Sequence, residues 1–253
     1  MAGLKVEAIG ISDVGMKREK NEDAYLLRDD LGLYLVADGM GGHAGGEFAS
    51  QIAVKTIEET IKNYPKYREE VTITGTPGEP EPFQMLNCAI QRACKKIHEK
   101  SLEDPDLRGM GTTIVATLVN DENLWLAHVG DSRAYLIRDR NIQQLTEDHS
   151  LVHEQVKAGL LSAEEAKTHK LKNIITRSVG FQEEVEADLF NMTIKPGDLF
   201  LICSDGLTSL VEDEEIKEVL LSHDPKVAIR KLVQMSNERG GDDNITILIL
   251  HFN

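Results

Sequence analysis

The order of helix-like and strand-like segments is the feature that most restricts the fold of this chain. Two helical patterns, over 44–64 and 83–102, follow one another, and a second pair follows at 212–221 and 225–238. Strand-length apolar or alternating runs flank each pair, and single strands and helices do not alternate as they would in a parallel α/β sheet. The order predicts an α+β sandwich with sheets in the middle and a helix pair on each outer side.

Short strands separated by turns occupy the middle of the chain. The runs at 112–119, 124–129, 133–138 and 142–145 are joined by turn residues, which predicts an antiparallel meander. The segment TITGTPGEPEP at 72–82 is predicted to be an exposed loop between the first two helices. Further strands are expected at 4–11, 33–37, 186–194, 199–203 and 245–252.

Charge and composition exclude several classes of protein. With 43 acidic and 28 basic side chains, the chain has a formal net charge of −15, so it lacks the basic surface that binds nucleic acid. No apolar run approaches the roughly 20 residues that cross a bilayer, and the first residues show no secretory pattern. We therefore expect a cytoplasmic protein with no nucleic acid or membrane partner. Its three cysteines form no C-x-x-C pair, which predicts buried reduced thiols.

Aspartates follow three apolar strands, where a side chain would be held at the rim of the core. Asp38 follows LYLVA, Asp131 follows LAHVG and Asp205 follows LFLICS. Asp243 lies in GGDDN just before the last strand, and the acidic triplet NED at 21–23 precedes an early one. Any one of these aspartates alone is most simply a turn or cap residue, because Asp-Gly is common in turns.

Gathered in one cleft, these carboxylates would repel one another, since no lysine or arginine alternates with them. Hard divalent cations would remove that repulsion, and oxygen ligands suit Mg²⁺ or Mn²⁺. Clustered cysteine or histidine ligands are missing from the pattern, which argues against zinc or copper. The sequence therefore predicts a magnesium or manganese site at the strand ends.

Six short motifs span nearly the whole chain: R-x-x-N-E-D at 18–23, DGMGGHAGG at 38–46, GTT at 111–113, VGDSR at 129–133, SDGL at 204–207 and GGDDN at 240–244. In order and spacing they resemble the metal-dependent type-2C (PPM) serine/threonine protein phosphatases of the bacterial type. The resemblance implies a four-layer α-β-β-α sandwich with two central antiparallel sheets. It also implies one catalytic domain over 1–253, with a flap subdomain at about 147–180.

The resemblance further implies a centre that holds two Mn²⁺ or Mg²⁺ ions. Asp38 would bridge both ions, and Gly39 would offer its carbonyl oxygen to one of them. Asp205 and Asp243 would complete the coordination of the other ion. Two ions held in this way would activate a water for attack on phosphorus, in line with the leaving serine or threonine oxygen. No protein nucleophile is then needed.

Other residues of the motifs would act around these ions. Glu22 and Asp23 would act through metal-bound waters, and Asp131 with Asp205 would provide a weaker third ion site, as in bacterial members. Arg18 would bind the phosphoryl oxygens with its planar guanidinium, although composition alone makes it a solvated member of KREK.

The leaving oxygen also needs a proton, and His43 is the candidate general acid. Met40 stands where eukaryotic members of the family have a histidine, so an ordinary loop position for His43 is an equal alternative. A metal-bound water is the other source of the proton. The flap histidines His149, His153 and His169 are expected to lie on the surface, because their scattered spacing does not suit zinc.

The expected function is hydrolysis of phosphoserine and phosphothreonine in phosphorylated proteins by a metal-activated water. The enzyme would be a monomer that acts in signalling and opposes a bacterial serine/threonine kinase. One alternative is a catalytically weak family member that acts as a metal-tuned regulatory binding module. Another is a hydrolase of small phosphomonoesters, against which no G-x-x-x-x-G-K-[ST] phosphate loop is found.

Overall fold

Two antiparallel sheets stacked face to face form the centre of the protein. The computed structural model describes residues 4–42, 45–67 and 80–253. Strands are numbered along the chain, and the first sheet has the spatial order β1 (Val6–Asp13), β11 (Ile245–Phe252), β10 (Leu199–Cys203), β7 (Arg133–Arg138) and β8 (Asn141–Gln144). The second sheet has the order β2 (Asp23–Arg28), β3 (Leu33–Met40), β5 (Ile114–Asn120), β6 (Asn123–Val129) and β9 (Asp188–Thr193), with the short β4 (Gly111–Thr112) paired to β3.

The alternation of side chains along β3 shows how the layers are built. Because successive side chains of a strand point to opposite faces, Leu33, Leu35 and Ala37 pack on the helix side of the second sheet. Tyr34 and Val36 instead lie between the two sheets. Both faces of this strand are therefore buried, which explains why its sequence is a continuous apolar run.

Two pairs of long helices cover the outer faces of the sheets. The second sheet is covered by α1 (Gly45–Lys62) and α3 (Glu81–Glu103), and the first sheet by α7 (Asp213–Ser222) and α8 (Pro225–Glu238). The predicted four-layer α-β-β-α sandwich is confirmed. Shorter helices complete the described chain: α2 (Tyr64–Tyr67), a 3₁₀ turn (Pro105–Leu107), α4 (Leu151–Lys157), α5 (Ala163–Lys167) and α6 (Asp205–Thr208).

The apolar faces of the first helix pair were only partly predictable. Leu86, Ile90, Ala93 and Ile97 of α3 are fully buried, as the spacing predicts. In α1, Phe48 recurs with Ile52, Ile57 and Ile61 at near-helical spacing, which predicts a shared buried face. Phe48 is instead 49% exposed, because the buried stripe of this helix runs through its small and β-branched residues. Of the predicted loop at 72–82, residues up to 79 lie outside the described residues, and α3 already begins at Glu81.

The predicted meander is wrong at one point, and that point matters for the site. β6 pairs with β5 and β9, whereas β7 pairs with β10 and β8 in the other sheet. The connection over 130–132 therefore crosses between the sheets, and Gly130 makes the turn with φ +111°, which favours glycine. The sequence pattern could not show this, because the sheet to which a strand belongs depends on partners far along the chain.

Two further expectations concern the thiols and the membrane. Cys88, Cys94 and Cys203 are all buried, as the sequence analysis expects. Within the described ranges, none of the helices is both long enough and apolar enough to span a bilayer.

Candidate metal centre

The ends of strands from both sheets meet at one edge of the sandwich and bring five aspartates together. Asp38, near the end of β3, lies opposite Asp23 at the start of β2. Asp205 follows β10 at the start of α6, and Asp243 precedes β11. Asp131 lies in the turn that crosses between the sheets. The antiparallel register and this crossing thus place carboxylates from five separate segments in one cleft.

Electrostatics shows that these carboxyl groups share the cleft. Burial raises the pKa of Asp38 well above its usual range, and Asp23, Asp205 and Asp131 raise it further. Burial also raises the pKa of Asp23 to about 7 and, reinforced by Asp243, that of Asp205 to about 6. The pKa of Asp131 is raised by burial and by Asp205. Like charges in a poorly solvated cleft require protons or cations between them.

The atoms of the cleft fit a hard divalent cation. Oδ1 of Asp23 is buried without a hydrogen-bond partner among the described residues, while Oδ2 accepts from the Ser204 hydroxyl at 2.8 Å. Two arginines lie near the carboxylates, and each already forms an ion pair. Arg18 Nη2 donates to Asp243 Oδ2 at 2.7 Å, and Arg133 donates one hydrogen bond to each carboxylate oxygen of Asp148. A set of oxygen donors with surplus negative charge suits Mg²⁺ or Mn²⁺.

Gly39 lies where the backbone packs too closely for a side chain. A Cβ atom at this position would lie 2.0 Å from the carbonyl oxygen of Gly46 and 2.5 Å from that of Glu22. Gly46, at the beginning of α1, likewise approaches the Glu22 carboxylate, which its own Cβ would meet at 2.8 Å. Burial raises the pKa of Glu22. The DGMGG segment therefore brings the backbone of Gly39 and the Glu22 side chain to the same rim as the aspartates.

The GTT and VGDSR motifs hold Asp38 in place through its backbone. The Asp38 amide donates to Thr113 Oγ1 at 3.0 Å, and the Asp38 carbonyl accepts from the Thr113 amide at 2.8 Å. Thr112 Oγ1 donates to the same carbonyl at 2.8 Å, and the hydroxyls of Thr113 and Ser132 are 2.7 Å apart. Sequence reasoning identified both motifs but gave these hydroxyl residues no role.

Asn244 is another residue that the sequence did not reveal, and it holds a loop of the site in place. Its side chain is buried, and Nδ2 donates to the carbonyl oxygens of Val14 and Lys20, each at 2.9 Å. Oδ1 accepts from the Glu22 amide at 2.8 Å. Asn244 therefore anchors the loop that carries Arg18 and Glu22. Its place at the end of GGDDN, directly before β11, was the available signal.

The predicted site residues can now be located. His43 lies outside the described residues. The structure brings the others to one edge of the sandwich: Arg18, Glu22, Asp23, Asp38, Gly39, Asp131, Asp205 and Asp243.

The flap histidines require a correction. His149 is only 8% exposed, so the expectation of a surface position is wrong for it, because its ring stacks on His128. His153 and His169 are half-buried. A cavity of about 530 Å³ separates the flap from α6 and α7, and it opens beside Asp131 and Asp205.

Comparison with known proteins agrees with the fold and with the motifs. Two solved structures of serine/threonine phosphatases share this architecture. Stp1 from Staphylococcus aureus superposes with a TM-score of 0.88 at 33% identity, covering 99% of this chain and 96% of that one. The catalytic domain of PstP, in complex with two manganese ions, superposes with a TM-score of 0.84 at 33% identity, covering 98% of this chain and 99% of that one.

Sequence relatives give the same assignment. The serine/threonine phosphatase stp of Listeria monocytogenes is 40% identical over 247 residues, which are 94% of this chain and 93% of that protein. The family model described as protein phosphatase 2C matches residues 16–246. The chain therefore belongs to the protein phosphatase 2C family.

Proposed function

We propose that this protein hydrolyses phosphoserine and phosphothreonine in phosphorylated proteins, with divalent cations held in the carboxylate cleft. The observation that carries the proposal is the convergence of five aspartates from both sheets. Burial raises the pKa of four of them, and the fifth, Asp243, forms an ion pair with Arg18 at the rim. Such a site would hold cations at the edge of the sandwich. Phosphoprotein substrates follow from the family to which the chain belongs.

Four residues would hold the two principal ions, which are Mn²⁺ or Mg²⁺. Asp38 would bridge them, the Gly39 carbonyl would bind one, and Asp205 with Asp243 would bind the other. When bound, the cations would activate a water for attack on phosphorus and offset the charge on the phosphoryl oxygens. The backbone at Gly39 packs too closely for a side chain, so its carbonyl oxygen is the ligand atom that this position can offer.

The remaining acidic residues would tune this centre. Glu22 and Asp23 would act through water, and Glu22 is half-buried at the rim. Asp131, together with Asp205, would hold a third and weaker ion. Asp131 contributes to the raised pKa of Asp38, so it lies close enough to belong to the same electrostatic unit.

Arg18 would bind and orient the substrate phosphate. Its side chain is 50% exposed and pairs with Asp243 at the rim of the cleft, where a phosphoryl group can compete for the guanidinium. Two parallel N–H groups suit phosphoryl oxygens. Proton delivery to the leaving oxygen is assigned to His43 or to a water, as in the sequence-based expectation.

The wider biological setting is part of the same proposal. The enzyme would act as a cytoplasmic monomer in signalling, opposite a cognate serine/threonine kinase. Residues 1–253 would form one catalytic domain, and the flap at about 147–180 would border substrate access through the cavity beside Asp131. The binding-module alternative is less favoured, because the carboxylates named above are all in place.

A phosphate-release assay on a phosphothreonine peptide tests the proposal. Wild-type protein is expected to turn over with Mn²⁺ and to stop with EDTA, and Asp205→Ala is expected to be inactive. Asp243→Ala and Asp242→Ala form a matched pair, because Asp242 is the exposed neighbour in the same GGDDN segment; only the former is expected to lose activity.

Other outcomes separate the alternatives. Equal turnover under all these conditions would exclude a metal-dependent mechanism. Bound Mn²⁺ without turnover would favour the regulatory binding module. Faster hydrolysis of nucleotides than of the phosphopeptide would favour a hydrolase of small phosphomonoesters.

A further inference from the structure

A second polar cluster lies beside the carboxylate cleft, and we name it the flap-side cluster. It consists of His128 in β6, His149 just before α4 and Asp188 at the start of β9. The two rings stack with centroids 4.7 Å apart, and His149 Nε2 lies 3.2 Å from Asp188 Oδ2. The nitrogen and oxygen atoms that the three side chains offer lie within 4.8 Å of one another. Two histidines and a carboxylate are also the residue types of a transition-metal site.

Hydrogen bonding gives His149 a different role. The Gly130 amide donates to His149 Nδ1 at 3.0 Å, so Nδ1 must present a lone pair. The proton of the neutral ring is then on Nε2 and is donated to Asp188. A metal at Nε2 would move that proton to Nδ1, where it would face the Gly130 N–H. Burial lowers the pKa of His149, which agrees with a neutral ring of fixed tautomer.

His149 holds Gly130 through both its backbone and its side chain. Besides the bond to Nδ1, the His149 amide donates to the Gly130 carbonyl at 2.8 Å. Gly130 adopts φ +111°, and a Cβ atom there would lie 2.6 Å from the Thr113 side chain. The turn is thus closely packed on one side and hydrogen-bonded to one residue on the other. Asp131 is the next residue in the chain.

The other side of His149 is connected to the end of the flap. The His149 carbonyl accepts from the Thr176 amide at 2.8 Å. Arg177 Nη1 donates to Asp188 Oδ1 at 2.6 Å and to the Glu186 carbonyl at 3.2 Å. A continuous series of hydrogen bonds therefore runs from the flap end, through Asp188 and His149, to the turn that carries Asp131.

We propose that His149 is a positioning residue, which fixes the Gly130 turn so that Asp131 is held in the cleft and which connects that turn to the flap. The inference rests on the proposed function, where Asp131 is assigned to the weakest ion site. It adds a residue that binds neither substrate nor metal but sets the affinity of that site. Partners that orient metal ligands in this way change metal affinity by about 10–100-fold when they are replaced.

Titration calorimetry with Mn²⁺ on the purified full chain tests this role apart from activity. His149→Leu is expected to weaken the weakest Mn²⁺ site by about 10–100-fold and to leave the tighter sites within about threefold. His149→Asn keeps an acceptor oxygen at the place of Nδ1, so it is expected to restore most of the lost affinity. The matched control is His169→Leu, because His169 Nδ1 also accepts a backbone N–H, from Leu171, but within the flap itself.

A fourth variant guards against misfolding of His149→Leu. Asp188→Leu removes the acceptor of the Nε2 proton at a side chain that is half exposed, and it is expected to weaken the same site by about three- to tenfold. Wild-type affinity in both the His149→Leu and Asp188→Leu proteins would overturn the inference, as would a wild-type protein that binds only two ions. A wild-type protein that binds no Mn²⁺ would instead overturn the proposed function.

Discussion

The carboxylate cleft and the flap-side cluster are both groups of potential metal ligands, but they differ in how their polar atoms are satisfied. In the cleft, acceptors outnumber donors. Asp23 Oδ1 is buried without a partner among the described residues, and burial together with four neighbouring aspartates raises the pKa of the Asp38 carboxyl group. Negative charge of this kind is stable only when protons or cations are shared between the carboxylates.

The flap-side cluster shows the opposite balance at His149, although both ring nitrogens of His128 are buried without a hydrogen-bond partner among the described residues. Each nitrogen of the His149 ring has a partner of the correct polarity, since Nδ1 accepts from Gly130 and Nε2 donates to Asp188. Asp188 in turn accepts from Arg177. Whether a group of potential ligands requires a cation is therefore decided by the donors around it, and residue types alone do not decide it.

The largest expected effect comes from Asp38→Asn. In Mn²⁺, kcat/KM for a phosphothreonine peptide should fall by about 10³-fold or more, because a bridging ligand contributes several kcal/mol to catalysis. In EDTA the same variant should be more stable than wild type by about 1–2 kcal/mol, since one of several repelling carboxylates is gone. The peptide assay and thermal unfolding measure the two effects, and the midpoint should rise by about 2–6 °C.

Asp198→Asn is the control that makes this comparison sharp. Asp198 is also buried, but it accepts two hydrogen bonds from Arg138 and one from the Lys195 amide. Weakening that pair should lower stability by about 2–4 kcal/mol and leave activity intact. If Asp38→Asn destabilised the metal-free protein as Asp198→Asn does, the cleft would not be a region of uncompensated negative charge.

Much of the fold was predictable because the signals are local. The spacing of Leu86, Ile90 and Ala93 gives a helix, and continuous apolar runs give the buried strands. The sheet to which a strand belongs could not be predicted in the same way. β6 and β7 are separated by only three residues, yet their other partners, β9 and β10, come about 60 residues later in the chain.

The candidate site was predictable to a similar extent. Its aspartates stand out because each follows or precedes an apolar strand. Thr113, Asn244 and His149 do not stand out, because they act through backbone groups that are far from them in sequence or adjacent only in space. Asn244, for example, anchors Val14 across 230 positions. No periodic pattern records such a contact.

Asn244→Ala is expected to have an intermediate effect on the cleft. Three hydrogen bonds to the loop carrying Arg18 and Glu22 would be lost, at about 1 kcal/mol each. The free energy of unfolding should fall by about 2–3 kcal/mol, and KM for the phosphopeptide should rise about tenfold, because Arg18 would no longer be held at the rim. Urea denaturation and steady-state kinetics measure these changes.

The control for this variant is Asn191→Ala, at an exposed position on β9, which should change stability by less than about 0.5 kcal/mol. An unchanged KM in Asn244→Ala, together with the expected loss of stability, would show that the loop supports the fold without positioning Arg18. The cleft would then depend on its carboxylates and not on this anchor.

The smallest effect is expected from His128→Leu in the flap-side cluster. His128 is 1% exposed, and burial together with His149 lowers its pKa to about 4, so the ring is neutral. A leucine keeps apolar contact with the His149 ring, and exchanging a neutral buried polar group for an apolar one of similar size costs little. Stability should therefore change by less than about 1 kcal/mol, as measured by urea denaturation.

The amount of bound Zn²⁺ or Mn²⁺, measured by native mass spectrometry, should not change, because no ion is needed where His149 already has a partner at each nitrogen. Loss of one bound ion in this variant would mean that the flap-side cluster is itself a metal site, and the distinction between the two clusters would fail.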